Sequence, residues 1–152
     1  MKEIPYAEAI GWLYWPTVVS RPDTVFVMGV LSQFIQNPEP MHWEGVKRVI
    51  NYLRCTKDLW LTSRGEHTHL EDYCDADWAT QPHQHLISGF LFHYRKGMIS
   101  WSSKKQSVIA LLSTEAKYIA ETHAAKEALW LETFVNKVTS IVKKPLTIMW
   151  DN

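Results

Sequence analysis

The stretch YCDADW, residues 73–78, places two carboxylates, Asp75 and Asp77, two positions apart. It begins within a predicted strand, Leu70 to Cys74, which ends at Asp75. Like charges at this spacing repel one another unless a cation lies beside them, whereas a single aspartate after a strand is also an ordinary turn residue. The stretch therefore predicts a strand that ends in an acid, and it leaves open whether that acid binds a cation or begins a turn.

The pattern before residue 57 is helical. Apolar residues recur at intervals of three and four, and prolines stand where helices begin or break. The predicted helices are Glu8 to Val19, a second from Pro22 to Ile35 that Asn37-Pro38 ends, and a third that Pro40 opens.

The pattern after residue 57 is mixed. Predicted strands are Trp60 to Thr62, Leu70 to Cys74, Ile87 to Tyr94, Met98 to Trp101 and Leu146 to Trp150, with a turn at Arg95-Lys96-Gly97. A long helix, capped by Ser113 or Thr114, precedes the last strand. The sequence therefore predicts an α/β fold with a mixed sheet and a long packing helix, preceded by an all-helical segment.

Composition narrows the classes of protein. The chain has 152 residues, 46% of them hydrophobic, which suits one domain or one domain with an appendage. Its 16 basic and 16 acidic side chains lack the excess of a dedicated nucleic-acid binder, although a local basic patch is compatible with a neutral total. Two cysteines make no disulfide framework, and there is neither a signal peptide nor a membrane span, so an intracellular protein is expected.

Three acids fall where a metal site forms in such a sheet. Asp75 and Asp151 end predicted strands, and Glu115 lies in the first turn of the helix between them. Acids that meet at the carboxyl ends of strands need a hard cation such as Mg²⁺, and two such ions can clamp a phosphodiester. The alternative is that the aspartates are turn residues and that Glu115 complements the helix dipole.

Four motifs in order carry a family resemblance: YCDADWA (73–79), SGFLFHYRKGMISWSSKKQS (88–107), STEAKYIAETHAAKEALWL (113–131) and TIMWDN (147–152). Together they resemble the ribonuclease H domain of Ty1/copia-type retrotransposon Pol polyproteins. The helical start is similar to the segment that ends the reverse transcriptase of that family. The resemblance covers nearly the whole chain.

The resemblance implies a division of the chain and an activity. Residues 1–57 would be the helical tail of a reverse transcriptase, and residues 58–152 a ribonuclease H-like domain that is incomplete at its C-terminus. The family activity is Mg²⁺-dependent hydrolysis of RNA in RNA–DNA hybrids. The implied partners are such a hybrid and the rest of the reverse transcriptase, with no membrane.

The resemblance also assigns roles to residues. It implies that the catalytic metal ligands are Asp75, Glu115 and Asp151, and that Lys104 and Lys105 meet a phosphate backbone. For the lysine pair, a solvated turn after a strand is an equally good interpretation.

The chain departs from the family pattern at one position of the long helix. Family members carry E-A-E-Y where this chain has Glu115-Ala116-Lys117-Tyr118. Positions two apart on a helix point about 200° apart, so Glu115 does not simply replace an acid at 117. Either Glu115 binds the metal, or Lys117 and the truncation impair the site. Two further alternatives are an inactive remnant with weak nucleic-acid binding and a non-enzymatic interaction module that uses the helices at 24–54.

Overall fold

The computed structural model describes residues 4–63, 65, 70–77, 87–106, 113–139 and 147–150. The chain forms two compact units, Met1–Leu61 and Thr62–Asn152. The first is helical and the second holds a sheet with one long helix, so the chain is a mixed α/β protein as the sequence predicts. Among the described residues, no helix is both long enough and apolar enough to cross a bilayer.

The helical unit contains three α-helices. Helix α1 spans Tyr6–Val19, α2 spans Val25–Ser32 after a short 3-10 turn at Pro22–Thr24, and α3 spans Pro40–Cys55. Pro40 is the first helical residue of α3, where a missing N–H costs nothing. Helix α2 ends at Ser32, so the predicted continuation to Ile35 is wrong.

The core of the helical unit lies where the three helices meet. Its buried residues are Tyr6, Ile10, Leu13, Met28, Leu31, Val46 and Val49. The Tyr6 hydroxyl donates a hydrogen bond of 2.8 Å to the Leu31 carbonyl, which satisfies the one polar group of this cluster. Burial raises the pKa of Tyr6 because it disfavours the phenolate.

The second unit is built on a four-stranded sheet. Its elements are β1 (Leu70–Asp77), β2 (Ile87–Tyr94), β3 (Gly97–Lys105), α4 (Ser113–Thr139) and β4 (Thr147–Trp150). The strand order is β3-β2-β1-β4. Strands β1 to β3 pair antiparallel in succession, and β4 joins β1 in parallel.

Two strand predictions need correction. The segment Trp60 to Thr62 is not a strand. Local alternation of side chains does not reveal whether a strand has a hydrogen-bonding neighbour, and a strand forms only where it has one. Strand β1 continues to Asp77, so Asp75 lies inside the strand rather than at its end. This extension is explained by the full length of β2 opposite, where Asp77 pairs with Ile87.

The β2–β3 turn has an unusual backbone. Arg95 and Lys96 both have positive φ angles, 52° and 60°. Such a pair matches the right-handed twist of a two-residue hairpin, although glycine and asparagine are the residues that usually supply it. The predicted turn is confirmed, but β3 begins at Gly97 and runs to Lys105, further than predicted.

Helix α4 packs on the sheet against β1 and β2. A buried cluster of Phe92, Ala128 and Leu131 forms there, with Leu70 and Phe90 beside it. Because the C-terminal half of α4 lies over the start of β1, the helix runs antiparallel to that strand. Its N-terminus is therefore at the end of the sheet where β1 finishes.

Candidate metal and nucleic-acid site

The backbone register defines one end of the sheet. Strands β1 and β4 pair in parallel from Glu71 with Thr147 to Cys74 with Trp150. In the sequence, the next residue after Cys74 is Asp75, and the next after Trp150 is Asp151. The predicted ligand Asp151 lies outside the described residues.

A row of paired positions crosses the sheet at Asp75. Asp75 pairs with Gly89, and Gly89 pairs with Ser103. Lys104 and Lys105 follow Ser103 as the last two residues of β3, and both are exposed. Since adjacent strands lie about 4.8 Å apart, the backbones of β1 and β3 are roughly 10 Å apart at this row. The fold thus brings both predicted lysines and Asp75 to the same end of the sheet.

Helix α4 presents two different faces at its first turns. A stripe of fully buried residues faces the sheet: Ala120, Ala124, Ala128 and Leu131. At about 100° per residue, Lys117 continues this stripe toward the N-terminus, and it is half-buried. Glu115 lies on roughly the opposite face and is exposed. Both residues make interactions within the fold.

On the described first turns of α4, the sheet-facing position carries a lysine rather than a carboxylate. Mg²⁺ is held by carboxylates and other oxygen ligands. On α4 the sheet-facing position next to this end of the sheet carries an ammonium at Lys117, whereas the carboxylate of Glu115 is on the exposed side. Among the described residues, no group of three His, Cys, Asp or Glu side chains is placed to hold a metal ion. The Glu115 assignment stays a prediction.

Two polar contacts link parts of the sheet unit that sequence spacing did not connect. The Ser100 hydroxyl of β3 donates to Glu127 Oε1 of α4 at 2.8 Å. Gln106 Nε2 donates to the Ser88 hydroxyl at 2.5 Å, which holds the chain after β3 against the start of β2. Both pairs are long-range, so no local motif indicates them.

His93, a residue of β2, makes an aromatic contact within this unit. Its ring meets Tyr73 edge-on, with centroids 5.8 Å apart. Its Nδ1 is buried and has no hydrogen-bond partner. A histidine in an apolar strand gives no signal of this in the sequence, because burial depends on the neighbouring strand.

Comparison with known proteins identifies several related sequences. The Secreted RxLR effector protein 161 of Plasmopara viticola is 44% identical over 133 residues, which are 86% of this chain and 94% of that protein. The retrovirus-related Pol polyprotein from transposon TNT 1-94 of Nicotiana tabacum is 41% identical over 139 residues, or 91% of this chain. The corresponding polyprotein from transposon RE2 of Arabidopsis thaliana is 33% identical over 149 residues, or 97% of this chain.

The extent of these matches differs between relatives. The chain spans 10% of the length of each of these two Pol polyproteins. No protein-family profile matches the chain, and no solved structure matches it. The relatives from several transposons confirm the resemblance seen in the four motifs. Over most of its length the chain is therefore homologous to a segment of the retrovirus-related Pol polyproteins of copia-type transposons.

Proposed function

We propose that the sheet unit is a ribonuclease H-like domain with an impaired metal site. Such a domain would bind RNA–DNA hybrids and hydrolyse their RNA strand far more slowly than one with an intact site. The register carries this proposal: β1 and β4 pair in parallel up to Cys74 and Trp150, and an aspartate follows each of them in the sequence. Two acids that follow paired positions on parallel strands favour a shared metal ion.

The topology supports the same proposal. Three antiparallel strands precede a helix that crosses the sheet, and the strand after that helix joins β1 in parallel. This connection directs the N-terminus of α4 to the same end of the sheet as Asp75. A third ligand from the first turns of α4 is therefore expected, and its most suitable position is the one that faces the sheet.

Lys117 occupies that position. An ammonium there repels a divalent cation and attracts the carboxylates that would otherwise bind it. We propose that this substitution, rather than a loss of fold, accounts for the impairment. Glu115 is a poorer substitute, because it lies on the exposed face of the same turn.

The basic pair at the end of β3 supports weak binding of nucleic acid. Lys104 and Lys105 are exposed and lie about two strand spacings from Asp75. Phosphate contacts by lysine carry little sequence information and weaken steeply with salt. We propose that these residues contact the backbone of the hybrid, and that residues 1–57 are the reverse-transcriptase segment that precedes the domain in a complete Pol protein.

The test restores the acid at position 117. In the full chain with Mg²⁺ and a labelled RNA–DNA hybrid, Lys117→Glu should raise the cleavage rate at least 100-fold over the unmodified chain, a range typical of placing one catalytic group. Lys126→Glu is the matched control, because Lys126 is an exposed lysine of the same helix and its change alters the net charge equally. Asp75→Asn added to Lys117→Glu should remove the gain.

Two other outcomes would point elsewhere. If the unmodified chain cleaves the hybrid and Glu115→Gln abolishes this, Glu115 is the ligand and the impairment is refuted. If a folded Lys117→Glu chain neither binds nor cleaves the hybrid, the interaction-module alternative gains support instead.

A further inference from the structure

Helix α1 is apolar on two opposite faces. Its inner face enters the core through Tyr6, Ile10 and Leu13. Its outer face, defined here as Gly11, Trp12, Trp15, Val18 and Val19, points to solvent. Trp12 is 80% exposed and Trp15 is 73% exposed. A surface helix ordinarily has a polar outer face, so large apolar residues on both sides indicate a second contact surface.

The outer face of α1 has enough area for a specific contact. The two tryptophans and two valines expose on the order of 600 Å² together, since a tryptophan side chain alone offers about 200 Å². The smallest specific interfaces bury about 600 Å² on each partner. Tryptophan is also the residue that most often dominates binding energy at an interface. The area therefore suits one weak, specific interface.

The outer face combines bulky side chains with one position, Gly11, that has no side chain. Apart from its two chain neighbours and the backbone of its own helix, nothing lies within 4 Å of a Cβ built on Gly11, so the missing side chain leaves a notch that is open to solvent. A bulky side chain next to a notch is the arrangement by which helix ridges fill helix grooves. Two copies related by a twofold axis can each insert a tryptophan into the notch of the other.

The net charge of the chain is compatible with a second copy as the partner. The formal net charge of the chain is +0 at pH 7, with 16 basic and 16 acidic residues, so two copies do not repel each other over long distances. Glu8, one turn before Trp12, lies on the same side of the helix, in its first turn. In an antiparallel pair the two Glu8 carboxylates lie at opposite ends of the contact, whereas a parallel pair would bring them together.

We propose that the outer face of α1 is a homodimer interface. The two α1 helices pack antiparallel, and Trp12 and Trp15 of each copy cover the partner's Gly11. The contact is independent of the metal site, because it uses only residues of the helical unit.

The first test measures association of the full chain by sedimentation velocity between about 1 and 200 µM. With about 600 Å² buried per copy, a dimer with a micromolar dissociation constant is expected. The double change Trp12→Ser and Trp15→Ser should weaken it at least 50-fold. Trp60→Ser is the matched control, because Trp60 is 81% exposed and lies outside α1. A monomer at every concentration, or equal weakening by the control, would overturn the proposal.

The second test uses Gly11→Leu and keeps the result independent of folding defects. The side chain has open space in a single copy, and leucine forms helix better than glycine, so the melting temperature should stay or rise. Dimerisation should nevertheless fall at least 10-fold because the notch is filled. Unchanged dimerisation would contradict the proposed packing. A monomeric chain that instead binds a separate Pol segment through Trp12 would assign the face to the polyprotein.

Discussion

The two units differ in whether their buried polar atoms have hydrogen-bond partners. In the helical unit, Arg21 is buried, and its guanidinium donates to both carboxylate oxygens of Asp23 and to the carbonyl and hydroxyl of Thr56. In the described part of the sheet unit, His93 Nδ1 and Tyr94 Oη are buried with no partner. A buried polar atom left without a hydrogen bond costs about 1–3 kcal/mol. The described part of the sheet unit therefore bears a cost that the described part of the helical unit avoids.

The described hydrophobic cores of the two units also differ in size. The helical unit has a core of seven buried residues from three helices. Among its described residues, the sheet unit buries one large side chain completely, Phe92, which packs with Ala128 and Leu131. We expect the helical unit to persist under conditions that unfold the sheet unit.

The largest expected effect comes from removing the core of one unit at a time. Phe92→Ala should destabilise the sheet unit by about 3–5 kcal/mol, and Met28→Ala should destabilise the helical unit by about 2–5 kcal/mol. Urea titrations followed by circular dichroism should show two transitions, of which each variant shifts one. If either variant shifts both transitions equally, the units unfold together and the comparison fails.

The next effect concerns the buried ion pair. The pKa of Asp23 is lowered, first because Arg21 donates hydrogen bonds to the carboxylate and also because Tyr52 does. Its folded-state pKa therefore lies below the unfolded value of about 3.9, so the carboxylate stabilises the fold above that pH and the contribution is lost as the pH falls through the folded pKa.

Arg21→Ala should remove this pH dependence. At pH 7 the loss should be about 1–2 kcal/mol, which is less than for a fully buried pair because Asp23 is partly exposed. The measurement is the unfolding free energy of the helical unit between pH 2 and 7. Arg48→Ala, at an exposed position on α3, is the control, and an equally steep pH dependence in Arg21→Ala would disprove the role of the pair.

A gain is expected at the β2–β3 turn. Arg95 and Lys96 hold positive φ angles that cost side-chain-bearing residues energy, so the pair Arg95→Asn and Lys96→Gly should stabilise the sheet unit by about 1 kcal/mol. Thermal melting measures the gain. Lys96→Ala retains a Cβ and should give none, so a similar gain from it would show that the backbone is not the cause.

The smallest expected effect on stability concerns alanine substitutions at two helical glycines, Gly11 and Gly45. A Cβ on Gly11 meets open space, but one on Gly45 would stand 2.9 Å from Leu31 Cδ2 in the core. Gly11→Ala should therefore stabilise the helical unit by about 0.5–1 kcal/mol, and Gly45→Ala should lose most or all of that gain because Leu31 must move. Equal effects in chemical denaturation would mean that α2 and α3 do not approach closely.

The sequence predicted those elements that local signals determine. Pro40 opens α3, and the alternating residues from Ile87 to Tyr94 form β2 with the predicted bounds. In both places the information lies within a few residues, as a fixed proline φ or a period of two between turn residues. The α/β class followed from the same signals.

The remaining features depend on contacts that local signals do not contain. Trp60 to Thr62 alternates like a strand but has no place in the sheet. For α4, the sequence identified positions 115 and 117 as alternatives, and only the buried stripe shows which of them faces the sheet. The bond between Ser100 and Glu127 likewise requires the packing of α4 on β3.

The parallel pairing of β1 with β4 has a consequence for the order of folding. Strands β1 to β3 are joined by short sequence separations, whereas position 150 pairs with position 74, a separation of 76 residues. Closing so long a loop is entropically costly, and contacts of this kind form late. Strands β1 to β3 and helix α4 are therefore expected to assemble first, and β4 is expected to join the sheet last. The pairing that precedes Asp75 and Asp151 is therefore expected to be the last part of the sheet to form.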